Sequence, residues 1–266
     1  YAEAHLNLAG LQQQRGELDD AVDHYQKFIG LDPDFVEAHL KLGRALQDLG
    51  KLDAAAAHYQ KAIDIDPQSA EAYNYLGSAL LKLGRAEEAA DSYKNAIRIF
   101  PNSHLIHFNL HTTYYGSEDM EPAARCLEEA AKLEPNDIAI KFFRGMISDV
   151  QGNTEQAEIH FKAIPKDDEQ NIARLDSWHY IKSSSTNPPP LFWDVEEGLR
   201  LAMAAANNEG LTLEFGVASG GSIRQLGALA GQDVHGFDSF EGIPDAWNNF
   251  SSGAFSTHGK LPKVPD

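Results

Sequence analysis

The chain has 266 residues, 42% of them hydrophobic, and a formal charge of −18 at pH 7. That is room for two domains that each bury a core, with no apolar run near the ~18 residues a bilayer span needs. The acidic balance repels phosphate backbones and anionic lipid, so nucleic acid and membrane surfaces are not expected partners. A single cysteine, Cys126, cannot close an internal disulfide and reads as a small buried hydrophobe in a reducing, cytoplasmic setting. The first residue is Tyr1 rather than methionine, and no basic n-region with an apolar h-region follows. The chain therefore reads as a fragment.

The first organising feature is a period of 34 residues. Pro33, Pro67, Pro101 and Pro135 keep it. So do Gly16, Gly50, Gly84 and Gly152, with one beat missed at Glu118, and Ala21, Ala55, Ala89, Ala123 and Ala157 without a gap. Each unit spells a helical hairpin. In Ala38–Leu49 the apolar residues Leu40, Leu42, Ala45, Leu46 and Leu49 recur at helical spacing. Gly50 ends that helix as a left-handed C-terminal residue would, and a second helix from about Asp53 stops before Pro67. Small residues such as Gly43 and Ala55 allow close helix approach, and Tyr59 fills the space beside them.

This grammar resembles the tetratricopeptide repeat, whose pattern places small, aromatic and proline residues at these offsets. Repeats are expected at 2–35, 36–69, 70–103 and 104–137. A degenerate fifth, with Pro165 early, runs from 138 to 171 and serves as a cap. The resemblance implies a solenoid whose first helices line a concave groove for a protein or peptide partner. The groove residues would be Glu37, Leu40, Lys41, Arg44, Asn74, Ser78 and Phe108, with no basic row for a terminal carboxylate and no asparagine ladder. His5 and His39 share one repeat position, as do His24 and His58, so repeat geometry accounts for them and no metal site is expected.

The run SSSTNPPP at Ser183–Pro190 cannot continue a helix and reads as a linker spanning 172–190. A helix capped by Asp194 is expected from about Val195 to Ala206. Leu211–Val217 and Gln232–Phe237 read as buried strands on either side of a helix at Ser222–Ala230. Between the first strand and that helix lies Gly216-Val-Ala-Ser-Gly-Gly-Ser222. Glycines there allow a tight bend and bring backbone amides to a ligand at a helix N-terminus. Asp238 follows at the end of the second strand, where doubly wound folds place a ribose-binding carboxylate. The spacing G-x-x-x-G-G lacks the close second glycine of the dinucleotide fingerprint. Glu214 before the bend opposes a pyrophosphate and suits the ammonium and sulfonium of S-adenosylmethionine.

The stretches LEFGVASGGSI, HGFDSFEGIPDAW and GAFSTHGKLPKVPD resemble the macrocin O-methyltransferase (TylF-like) group of class I methyltransferases. That resemblance implies an α/β doubly wound, Rossmann-like domain, present here in its N-terminal part over 191–266. It assigns Glu214, Gly216, Ser219, Gly220 and Ser222 to the cofactor loop, with Asp238, Ser239 and Phe240 at the ribose and adenosine. It also implies a small-molecule or sugar hydroxyl as acceptor. Acids holding Mg2+, and the base, would lie beyond residue 266, so no catalytic residue is assigned and this stretch alone would be inactive. Two readings stand at this point. One is an S-adenosylmethionine-dependent O-methyltransferase carrying a repeat domain; the other is a non-catalytic repeat scaffold with a vestigial cofactor module.

Overall fold

The computed structural model describes residues 2–117, 119–166, 168, 171, 172, 175, 176, 178, 179, 212–215 and 234–237. The chain divides into two compact units, 1–193 and 194–266.

In the first unit helices pair in chain order: α1 (Ala2–Gln14) with α2 (Leu18–Leu31), α3 (Val36–Asp48) with α4 (Leu52–Ile65), and α5 (Ala70–Lys82) with α6 (Ala86–Ile99). The series continues with α7 (His104–His111) and α8 (Glu121–Leu133), then α9 (Ile138–Val150) and α10 (Thr154–Lys162). The turns follow from the glycines. Gly16, Gly50, Gly84 and Gly152 take φ of +76°, +73°, +81° and +81°. Behind each, the next amide reaches back to the last turn, as in Lys51 N to Leu46 O at 2.8 Å and Arg85 N to Leu80 O at 2.9 Å. This is the Schellman arrangement, and it makes each hairpin turn tight and alike. Ser69 and Asp137 cap α5 and α9 by accepting from Ala72 N and Ile140 N.

The fourth repeat departs from this pattern. Its first helix has eight residues and passes into a 3-10 turn at Thr112–Tyr114, and Gly116, at φ +85°, takes the left-handed position two residues early. The missed beat at Glu118 is therefore a displaced one.

The core explains the period. Tyr25, Tyr59, Tyr93 and Phe161 recur at one position of the second helices, fully buried or nearly so. Each faces a small residue of the partner helix at the register of Ala9, Gly43, Gly77 and Gly145. A Cβ built on Gly43, Gly77 or Gly145 would stand 2.5, 2.8 or 2.3 Å from the ring opposite. In the fourth repeat the pair is inverted: the large His111 stands at the small position and Leu127 at the aromatic one, both 0% exposed.

After α10, Ile164, Leu175 and Trp178 are buried against Phe142, Ala157 and Phe161, and the Trp178 indole donates to Asp149 Oδ2 at 2.9 Å. Leu175 and Trp178, within the span expected as a linker from 172, thus pack on the last hairpin. The rest of the expected linker and the helix expected at 195–206 lie outside the described residues.

In the second unit, β1 (Thr212–Phe215) and β2 (Val234–Phe237) pair in parallel, with Thr212 opposite Val234 and Glu214 opposite Gly236. Both lie within the runs expected at 211–217 and 232–237, whose other residues are outside the described ones.

Candidate functional site: the face of the first helices

Neighbouring first helices, α1 with α3 and α3 with α5, approach one another more closely than neighbouring second helices do. Across the first three repeats the first-helix side is thus the inner one. On it, α3 and α5 frame an open depression of about 360 Å³ lined by Val36, Glu37, Leu40, Lys41, Arg44, Ser69, Glu71 and Tyr75.

The chemistry of this depression is mixed. Lys41 pairs with Glu37 at 3.3 Å, both partly exposed, and the Arg44 guanidinium lies 5.9 Å from the centroid of the Tyr75 ring. An exposed ion pair of this kind contributes under about 1 kcal/mol and is readily exchanged for a ligand carboxylate. The Tyr75 pKa is raised first by burial and then by a hydrogen bond to Glu71, while Arg44 opposes both. Tyr75 therefore stays a neutral donor beside a cation. Its ring also packs on Tyr59 at 5.5 Å, which ties the site to the core behind it.

The groove residues expected from sequence fall into two sets. Glu37, Lys41 and Arg44 are on the surface of the depression. Leu40, 7% exposed, is mostly core and forms only the floor, because a leucine gains more by packing than by facing water. Phe108 is likewise turned to packing, edge-on to Phe143 at 5.5 Å and against His111. Asn74 accepts from Asn109 Nδ2 at 2.9 Å, a bridge between successive first helices, and Ser78 is hydrogen-bonded to Tyr93. Beyond the expected set, Val36, Ser69, Glu71 and Tyr75 line the depression, and Asn109 makes the bridge to Asn74. Tyr75 and Asn109 occupy the same repeat position as Lys41, a signal that was available in the 34-residue register.

Elsewhere, His5 with His24 and His39 with His58 form two equivalent ring pairs, Nδ1 to Nδ1 at 2.8 and 3.1 Å. Pro33 O binds the other nitrogen of His39 at 2.9 Å. Among the described residues no group of three or more His, Cys, Asp or Glu is placed to hold a metal. Cys126 is half-buried against the core, and burial pushes its thiol up to about 11.

Of the expected cofactor residues, only Glu214 falls among the described ones, in β1. Gly216, Ser219, Gly220, Ser222, Asp238, Ser239 and Phe240 lie outside them, as do the helix at 222–230 and the segments after 237. No helix among the described residues is long and apolar enough to cross a membrane.

Comparison with known proteins agrees with this geometry. Residues 40–104 match a family model described as tetratricopeptide repeat, and residues 11–50 match one described as TPR repeat. No curated protein gives a match. Among solved structures, the crystal structure of MamA is similar at 24% identity and a TM-score of 0.55, over 66% of this chain and 97% of that one. MamA from Desulfovibrio magneticus RS-1 gives 20% and 0.57, over 66% and 96%. YrrB, a TPR protein with an unusual peptide-binding site, gives 18% and 0.54, over 66% and 92%. The helical stack thus has the tetratricopeptide-repeat solenoid fold.

Proposed function

We propose that this protein is an interaction scaffold whose first-helix face binds an extended peptide segment of a partner protein. The depression between α3 and α5 carries the reading. It sets two cations, Lys41 and Arg44, and the neutral Tyr75 over the apolar floor of Leu40 and Val36. That combination suits a segment in which an acidic side chain lies next to an apolar one. The likeness in fold to YrrB, a TPR protein with an unusual peptide-binding site, supports a peptide as the occupant. A displayed library of peptides, enriched on the purified chain and measured by fluorescence anisotropy, tests it. Lys41→Ala and Arg44→Ala should each weaken enriched peptides about 5-fold or more, roughly 1 kcal/mol, with the melting temperature unchanged. Enriched peptides that bind both variants as well as the parent would overturn it.

A second reading concerns the C-terminal unit. We propose that 191–266 is the cofactor-binding part of an S-adenosylmethionine-dependent O-methyltransferase acting on a small-molecule hydroxyl. Parallel pairing of β1 with β2 supports it, because parallel neighbours need a crossover of about a dozen residues or more and 216–233 provides that length. Calorimetric titration with S-adenosylmethionine should show binding that Asp238→Ala removes. Absence of heat, or an unchanged Asp238→Ala isotherm, refutes this reading without touching the first.

A further inference from the structure

Two histidine pairs are independent of both readings above. His5 of α1 meets His24 of α2, and His39 of α3 meets His58 of α4 at the same positions one repeat later. The fold does not require imidazoles there. At these two positions the later repeats carry Tyr73 with Ser92, His107 with Cys126, and Lys141 with His160.

The second pair fixes its own protons. Pro33 O can only accept, so His39 Nε2, 2.9 Å away, carries the hydrogen, and Nδ1 of the neutral ring presents a bare lone pair. His58 Nδ1 lies 3.1 Å from that lone pair and donates to it. Burial, and then the neighbouring His39, lower the pKa of His58, which keeps that ring neutral near pH 7. His39 is 3% exposed and held by the carbonyl, whereas His58 is partly exposed and is the ring freer to turn. A backbone carbonyl behind one nitrogen of an imidazole, with the other nitrogen bare, is how proteins orient a metal-ligating histidine.

We infer that His39 with His58, and His5 with His24, are two-nitrogen chelating sites for a divalent ion of the copper(II) or nickel(II) type, each bridging the two helices of one hairpin. The spacing selects the ion. Nitrogens about 2.1 Å from a metal stand about 3.0 Å apart at the ~90° angle of square-planar or octahedral ions, and about 3.4 Å apart at a tetrahedral angle. The observed separations are 3.1 and 2.8 Å. The ion takes the place of the shared hydrogen. His58 turns, its proton passes through solvent from Nδ1 to Nε2, and both Nδ1 atoms become ligands. Water fills the remaining positions, because among the described residues no third His, Cys, Asp or Glu is placed to join either pair.

The test uses the whole chain, stripped with EDTA, and copper(II) chloride as the probe. Calorimetric titration at pH 7.5 should show two tight sites, with zinc(II) held at least about tenfold more weakly. The copper paramagnetic resonance spectrum should be tetragonal with two nitrogen couplings. An ion that binds only the folded state stabilises it, so a hundredfold excess over Kd should raise the melting midpoint by about 5 °C or more. His58→Gln should remove one tight site, and His24→Gln combined with His58→Gln should remove both and the midpoint rise with them. The metal-free midpoint of the double variant should stay within about 2 °C of the parent. If that variant binds copper as the parent does, the metal is an adventitious ion only and the inference fails. A parent spectrum without nitrogen couplings, or zinc(II) bound as tightly as copper(II), also overturns it.

Discussion

Gly43→Ala should destabilise the solenoid, although alanine is the better helix former by about 1 kcal/mol. The new Cβ would stand 2.5 Å from Tyr59 Cε1 and under 3.0 Å from two further ring atoms. Tyr59 is fully buried, its hydroxyl is tied to Gln47 and its ring packs against Tyr75, so it has no free path of retreat. Overpacking of this kind costs about 1–3 kcal/mol. Set against the propensity gain, the net loss is up to about 2 kcal/mol, or up to roughly 5 °C in a repeat array of this size. Gly10→Ala is the control. It lies mid-helix in α1, and its Cβ would meet nothing nearer than the Tyr25 hydroxyl at 3.9 Å. It should gain about 0.5–1 kcal/mol. The double variant Gly43→Ala with Tyr59→Leu copies the direction of the His111–Leu127 inversion and should show a favourable coupling above about 1 kcal/mol. Melting followed by circular dichroism, with urea titration for the cycle, measures all three. If Gly43→Ala raises the midpoint as Gly10→Ala does, the close-approach argument is wrong.

Stability should fall on acidification. Burial holds His111 neutral and depresses its pKa to about 4 from 6.5. The unfolded chain then binds the extra proton first, so the contribution is full above pH 6.5 and is lost between 6.5 and 4. Its upper bound is about 3 kcal/mol, and the burial of His58 and His160 acts in the same sense. Urea unfolding at pH 7.5 and 4.5 reads the slope, and His111→Gln should flatten it. Trp178→Ala should cost about 3–5 kcal/mol and loosen α9 and α10 first, since it empties a buried site and removes the bond to Asp149. Hydrogen exchange should show protection lost in α9 and α10 and kept in α3 to α6. Gly50→Ala should cost about 1–2 kcal/mol from its positive φ alone, because nothing lies within 4 Å of its Cβ position; a neutral result would mean that the turn relaxes.

The hairpins were legible in the sequence because each boundary is written twice, by a left-handed glycine after the first helix and a proline after the second. Where one mark moves, the reading slips. Gly116 sits two residues off register, so the period does not mark it, and the short α7 goes with that shift. The capping role of Leu175 and Trp178 was hidden because Pro165 breaks the period before them. In the groove, charge and exposure were legible for Lys41 and Arg44. The fate of Leu40 and Phe108 was not, since periodicity marks one face of a helix and does not say how deep the neighbouring repeat reaches.

The inverted pair in the fourth repeat shows what the period encodes. At Gly43–Tyr59 and Gly77–Tyr93 the conserved quantity is the volume filled between two helix axes, not the identity of either residue. His111 with Leu127 fills that volume from the opposite side. Because a histidine carries two nitrogens, the exchange also requires partners, and these are Phe108 O and the Tyr115 hydroxyl, the latter at 2.8 Å. Tyr115 reaches the ring from four residues on, where α7 has ended and the backbone has turned to an extended conformation. The short helix, the early glycine and the buried histidine are therefore one adjustment. Substituting Leu127→Tyr, which restores the aromatic without removing His111, should be more disruptive than either Tyr59→Leu or Tyr93→Leu, because it places two rings in a space that elsewhere holds one.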